Sequence, residues 1–457
     1  MLTRREIVAL SLAFVVTLPI VTKRLYASDE VQYFSWLRSV AFDRDADFDN
    51  EYRHFYDTGV VRTDGFRETF LNDERLTEAG RRINFAPVGA AILWAPFYGL
   101  GHLAALATGA PADGYSRPYV AAVAYASAVY GFLAVLLSAA FARRILGHGL
   151  RASLIVAIGT PLLFYVYVAP PFAHAASAFA VSLFLVTWLY VRQQWTWQGA
   201  LALGAIGALM AMVREQDLLF VAGPAIDFLR SARQPATARP SMSTVAIAAI
   251  AGTIAFVLAY TPQLFAYQSL NGHPGPTVYA TRKMYWYSPH ALGVVLSPEH
   301  GLFFWTPLAV IALAGLAIVA VGRIARDRPD AAWLATLALM MFGLQVYISG
   351  SVDSWTVAGA FGQRRFVATT PLLTLGMAAW FAIRAPLGRV ALAIGVALCV
   401  WWNLGLMALF GTNRMDRQRL TLAANARATF VSLPLEAPSL VWRYLTDRSS
   451  FYQSGRR

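Results

Sequence analysis

From about residue 117 to residue 410 the chain is a train of apolar runs, bounded by arginines or by turns with proline and glycine, with almost no charge inside any of them. A helix needs roughly 20 apolar residues to cross the ~30 Å hydrocarbon layer, and in lipid only helices and closed barrels leave no backbone group unpaired. Runs this long and this closely spaced restrict the chain to an all-α polytopic membrane protein. Spans are expected at 117 to 141, 152 to 169, 171 to 191, 199 to 213, 217 to 230, 243 to 263, 301 to 322, 331 to 350, 366 to 384 and 388 to 410. With the run from Ile7 to about Tyr26 in front, that makes about eleven crossings.

Composition agrees: 57% of residues are hydrophobic and only 14% charged, against about 25% charged in ordinary soluble proteins. The formal charge of +13 does not read as a nucleic-acid surface, because the arginines cluster at the ends of apolar runs, where they set topology. If residues 84 to 108 lie along the outer face as a helix with Pro87 near its start, one side collects Arg4, Arg5, Arg143, Arg144, Arg151, Arg192, Arg230, Arg233, Arg239, Arg323, Arg326, Arg328, Arg384 and Arg389. That arrangement satisfies the positive-inside rule in every short loop. It makes residues 1–410 one membrane domain, with 27–116 as a first extracytoplasmic loop carrying surface helices. Residues 411–457 become an extracytoplasmic tail, although it holds eight arginines against three acidic residues. Arg4 and Arg5 precede the first run without a small-residue cleavage site before Asp29, as in an uncleaved signal-anchor. The single cysteine, Cys399, excludes an intramolecular disulfide and any cysteine-based metal or redox motif.

Thirteen of the twenty-five acidic residues fall within residues 27 to 83, directly after the first run. Asp29 and Glu30 stand where the chain leaves the lipid, a natural position for acid or base chemistry on a membrane-borne substrate. Leu25, Val31, Phe34 and Leu37 recur at helical spacing and predict an amphipathic helix on the membrane surface, whose start the two acids would equally well cap. Asp43, Asp45, Asp47, Asp49 and Glu51 alternate like the oxygens of a calcium loop. They lack the central glycine and terminal glutamate of an EF-hand, so a solvated acidic surface or a loose cation site is expected there.

A span, then Asp29 and Glu30 at its outer end, then a loop with surface helices, then Arg82, Ile83, Asn84, Phe85, Ala86, Pro87, Val88 and Gly89 opening an apolar segment resembles the GT-C superfamily of membrane glycosyltransferases. The protein O-mannosyltransferase and aminoarabinose-transferase branch is the nearest comparison. The resemblance covers most of the membrane domain by topology and rests by motif on residues 25 to 100. It implies transfer of a sugar from a polyprenyl-phosphate donor to a glycan, lipid or protein acceptor on the outer face of a bacterial inner membrane. Asp29 then becomes the candidate base, with Glu30 beside it. It also allows a divalent cation, Mg or Mn, since the family has metal-dependent and metal-independent members.

Inverting displacement of a lipid phosphate needs a base for the incoming hydroxyl and cations for the departing phosphate. Arg214, Arg282, Lys283, Arg364 and Arg365 qualify by position, and arginine suits bidentate phosphate contacts. Interfacial arginines also serve simply to meet lipid headgroups. Arg214, Glu215 and Asp217 sit between two short apolar runs, either lining a cavity or reaching water from a tight hairpin. His174 stands where GT-C relatives often carry an acid; it can ligate a metal together with Asp29, bind phosphate, or be structural. His54 and His300 are weaker candidates of the same kind. The aromatics around Tyr279 to Tyr287, with Trp286, and Trp355 suit sugar faces and the interfacial belt alike. No hydrolase, Walker or dinucleotide fingerprint occurs.

Two further readings remain: a transporter or flippase of lipid-linked sugars, and a non-catalytic scaffold. Against transport stands the shortage of ionisable groups inside the runs, where Gln345 and Asn403 are among the few polar side chains.

Overall fold

A computed structural model describes residues 2–233, 241–322, 326–383 and 386–447. The Ala/Arg/Pro/Ser stretch around 231 to 243 therefore falls largely outside the described residues, as do Arg239, Arg323 and Arg384 and the last ten residues of the tail. The described chain is all-helical, with one isolated bridge, Leu76 to Arg82, and no strand.

Six helices among the described residues are long and apolar enough to cross a membrane: Gly89–Thr108, Arg117–Leu146, His174–Val191, Met242–Asn271, Pro329–Ser351 and Val390–Gly411. Three shorter apolar helices accompany them, Leu150–Gly159, Trp197–Val213 and Leu308–Val321. These six fall short of the expected count of about eleven spans, which they do not establish. Most of the difference traces to proline, which removes a helical donor and disfavours helix at the residue before it. The first run is helical only over Arg4–Thr17, then passes through Leu18–Ile20, which holds Pro19, into extended backbone at Val21. The run 152 to 169 breaks at Thr160 and Pro161 into Leu150–Gly159 and Leu162–Tyr167. The run 301 to 322 breaks at Thr306 and Pro307. The runs 217 to 230 and 366 to 384 begin as 3-10 turns, Glu215–Val221 and Arg364–Thr369. Gly89–Thr108, expected on the outer face, meets the length and hydropathy of a crossing helix.

The chain divides into two compact units, Met1–Phe141 with Tyr165–Tyr285, and Ala142–Phe164 with Trp286–Arg457. In the first unit, short helices follow the amino-terminal helix: Ser28–Arg38, Asp49–Asp57 and Asp64–Phe66. They enclose Phe34, Phe48, Tyr52, Phe55, Phe66 and Phe70, whose rings meet mostly edge to face, the geometry that aromatic quadrupoles favour. Against this cluster runs the non-helical stretch Arg82 to Val88, most of it buried. Its backbone groups have no helix or sheet to pair with, and leaving them bare would cost roughly 1–3 kcal/mol each.

Side chains take that place. Tyr52 donates to the Ile83 carbonyl (3.1 Å), Gln32 accepts from the Phe85 amide (2.8 Å), and Asn84 accepts from the Ala86 amide (2.8 Å). Asn84 also donates to the Gln32 carbonyl (3.1 Å), Trp36 donates to the Ala86 carbonyl (2.8 Å), and Gln263 accepts from the Val88 amide (3.0 Å). Gly89 then opens the next helix, and a Cβ there would lie 2.4 Å from the backbone of Met212 and Val213. Only glycine allows that approach.

In the second unit, Leu308–Val321 packs against Pro329–Ser351 and Thr370–Ala382. The two polar side chains noted inside its apolar runs sit at backbone irregularities. Asn403 donates to the carbonyls of Ile158 (2.7 Å) and Thr160 (3.1 Å) beside the break at Pro161, and Gln345 donates to the Arg365 carbonyl (2.9 Å) in the 3-10 turn.

Replacing Asn84 with alanine strands the buried Ala86 amide and removes the second bond to the Gln32 carbonyl, which keeps its place in the helical ladder. Such a variant is expected to lose about 1–3 kcal/mol of stability, read as a lowered unfolding midpoint of the detergent-solubilised protein. An unchanged midpoint removes these bonds as the support of the stretch.

Candidate functional site

Asp29 lies in the first turn of the helix Ser28–Arg38, partly exposed. That helix does not lie on a surface as expected, because Glu30 through Leu37 are all buried. Packing from every side replaces the one-sided burial of an interfacial helix.

Glu30 is 0% exposed. Its Oε2 accepts from the amides of Tyr26 (2.7 Å) and Ala27 (3.1 Å), closing the turn in front of Asp29. Its Oε1 is buried with no hydrogen-bond partner. Burial pushes the Glu30 carboxyl from its ordinary 4.5 up to about 8; the two amides pull it down, and the neighbouring Asp29 pushes it up. Near neutral pH Glu30 is therefore mainly protonated, and it acts on the shape of the turn, since it has no access to solvent.

His174 begins the helix His174–Val191 and is 2% exposed. Arg214, extended between Trp197–Val213 and the 3-10 turn Glu215–Val221, brings Nη1 to 2.7 Å from His174 Nδ1 and Nη2 to 3.1 Å from Gln216 Oε1. A guanidinium only donates, so the imidazole nitrogen facing it accepts. Beside this pair, Ser177 donates to Asp217 Oδ2 (2.6 Å), while Arg214 Nε and Asp217 Oδ1 are buried without partners. Aromatic rings join His174 to the turn before Asp29: Phe172 stacks on His174 (5.8 Å between centroids), and Tyr26 meets Phe172 edge-on (6.5 Å).

Lys283 Nζ lies 4.3 Å above the Phe85 ring, and the Phe85 amide is the one held by Gln32, just under one turn beyond Asp29. Arg282 follows the short helix Val278–Thr281 and is exposed. Glu78 fixes that helix by accepting from the Val278 amide (2.6 Å) and the Thr277 hydroxyl (3.0 Å). Asp29, Glu30, His174, Arg214, Arg282 and Lys283 thus all belong to the first unit. Arg364 and Arg365 belong to the second, where Arg365 donates to the Ser354 carbonyl (2.9 Å) and hydroxyl (3.1 Å).

A divalent cation finds a poor set of ligands here. The His174 nitrogen faces the positively charged Arg214, and no group of three or more His, Cys, Asp or Glu side chains suited to a metal occurs among the described residues. The acidic run 43 to 51 is spent on local structure. Asp43 pairs with Arg38 and Asn50, Asp45 accepts from Ser39 and the Asp47 amide, and Asp49 pairs with Arg53 and Arg82. Glu51, buried against Arg38, is pushed up to about 7 by desolvation. His54 stacks on Tyr115 (3.8 Å), the His300 carbonyl accepts from Gln363 (2.6 Å), and Trp355 stacks on His290 (5.4 Å). Tyr287 is fully exposed.

Sequence reasoning passed over Gln32, Ser177 and Gln263. An amide or hydroxyl in a helix carries no periodic signature, and only its partner across the fold reveals its part.

The displaced titration of Glu30 gives a signed expectation. A carboxyl raised in the folded state contributes stability that is fully present below 4.5 and is lost as pH rises through about 8. Glu30→Gln keeps an oxygen for the two amides and removes the titration. Its unfolding midpoint in detergent should vary less across that window than the native protein's, by an amount on the order of a few kcal/mol. Equal pH profiles would show that Glu30 does not titrate in this way.

Compared with known proteins, the chain matches no family model, no curated protein and no solved structure.

Proposed function

We propose that the chain is a GT-C-like inverting glycosyltransferase that moves a sugar from a polyprenyl-phosphate donor to an acceptor on the outer face of a bacterial inner membrane. The observation that carries this reading is the setting of Asp29. One compact unit holds this carboxylate at the start of a buried helix, with contacts running from Arg214 through His174 and Phe172 to Tyr26, three residues before it, and from Lys283 through Phe85 to Gln32, three residues after it. Membrane attachment rests on the six long apolar helices. With Gly89–Thr108 lying along the outer face, the other five long helices and the six shorter or interrupted apolar runs make about eleven crossings and keep the short-loop arginines on one side.

In this reading Asp29 takes the proton of the acceptor hydroxyl as its oxygen bonds to the anomeric carbon. The bond from that carbon to the phosphate oxygen breaks, and its electron pair leaves with the lipid phosphate. Arg214 and Lys283 oppose the charge that develops there, with Arg282 of the same unit as a further candidate. Glu30 and Gln32 set the angle at which Asp29 is presented.

The competing reading is a transporter or flippase of lipid-linked sugars. Sugar transfer in proteoliposomes from a defined polyprenyl-phosphate sugar separates the two. Asp29→Asn is expected to lower transfer by about 10²–10⁴-fold with the donor still bound. Undiminished turnover in that variant removes Asp29 as the base, and movement of donor between leaflets without transfer supports the competing reading.

A further inference from the structure

The tail after the last long apolar helix folds into one helical rod, Leu422–Arg427, the wider turn Ala428–Ser432 and Leu433–Thr446. Leu435 (82% exposed), Pro438, Trp442 (70%) and Leu445 (73%) follow one another at helical spacing, and none of the described residues covers them. At ~100° per residue they fall within about 80° of arc. Val441 flanks this stripe, and Val431 and Phe430 extend the exposed apolar surface toward the start of the rod. Glu436, Ser439, Arg443 and Asp447 occupy an adjoining face, where Glu436 pairs with Arg414 (2.5 Å). Leu433 and Thr429 are buried on the side toward the chain.

That inner side fixes where the rod sits along the preceding helix. Thr429 packs on Gly405, where an added Cβ would lie 2.3 Å from its methyl. Phe430 stacks on Trp402 (6.0 Å), and Trp401 Nε1 donates to the Thr429 carbonyl (3.0 Å). Gly405 is six residues, about 9 Å, from the end of the helix at Gly411. The helix Pro386–Gly411, 26 residues, is ~39 Å long and covers a bilayer's ~30 Å hydrocarbon with about 9 Å to spare. A contact about 9 Å from its end therefore falls between the edge of the hydrocarbon and about 9 Å inside it, the range in which interfacial helices ride.

We infer that Leu422–Thr446 is an interfacial helix that binds an anionic bilayer surface, with Leu435, Pro438, Trp442 and Leu445 among the acyl chains. Three observations agree on lipid as the occupant: the depth set by Gly405, the aromatic residue within the stripe, and the positive balance of the tail, eight arginines against three acidic residues. Arg427 and Arg443 lie on the rod itself and Arg414, Arg417 and Arg419 on the loop that leads to it, all exposed. This inference stands apart from the proposed chemistry and needs no substrate.

The test uses the full chain, with Cys399 replaced by serine, in nanodiscs of phosphatidylcholine with or without phosphatidylglycerol. Single cysteines at Leu435, Trp442 and Ser439 carry a nitroxide label. Labels at 435 and 442 are expected to be several-fold more accessible to oxygen than to a water-soluble nickel chelate, and the label at 439 the reverse. Including phosphatidylglycerol should deepen the first two labels, and Arg427→Gln with Arg443→Gln should abolish that response. All three labels meeting the chelate equally would overturn the inference, as would labels at 435 and 442 shielded from both reagents, the mark of a protein partner on this face. A response indifferent to phosphatidylglycerol would overturn its anionic part.

Discussion

Buried backbone without regular secondary structure must find its hydrogen bonds among side chains, and the stretch from Arg82 to Val88 is where this protein meets that demand most heavily. Tyr52, Gln32, Trp36 and Gln263 supply partners from three different helices, and Asn84 supplies one from within the stretch. Each bond from a helix also ties that helix to the stretch. The helix Ser28–Arg38 is held through Gln32 and Trp36, Asp49–Asp57 through Tyr52, and Met242–Asn271 through Gln263. The position of Asp29 is thus an outcome of how an otherwise unpaired backbone is satisfied.

The same logic governs the acidic loop. Its charges look from the sequence like a surface or a cation site. In the fold they cap turns, hold Arg38 and Arg82, and leave Glu30 and Glu51 buried. Burial of carboxylates is costly unless they are paired or protonated. Glu51 takes the first course beside Arg38, and Glu30 the second, with two backbone amides on one oxygen.

Much of the architecture was legible beforehand, because hydropathy and length report directly on which segments can lie in lipid. The helical class and the long helices at 117, 174, 242 and 329 could be read from residue order. Helix continuity could not be, even though each proline was visible. Hydropathy averages over Pro19, Pro161 and Pro307, whereas the backbone breaks at each of them. The candidate site was legible in its residue types, Asp29, His174 and Arg214, and less so in its wiring. Nothing local to Arg214 announces that it will donate to His174, forty residues earlier, and nothing in the acidic pair distinguishes the partly exposed carboxylate from the buried one.

The tie from Asn403 to the carbonyls beside Pro161 bears on motion. An interrupted membrane helix is a natural hinge, and alternating-access machines bend at such points. Here the two carbonyls next to the interruption are bonded to a side chain of another helix, so flexing there would break both bonds in a medium that offers no substitute. A joint fastened in that way is braced, and the frame holds still at that point.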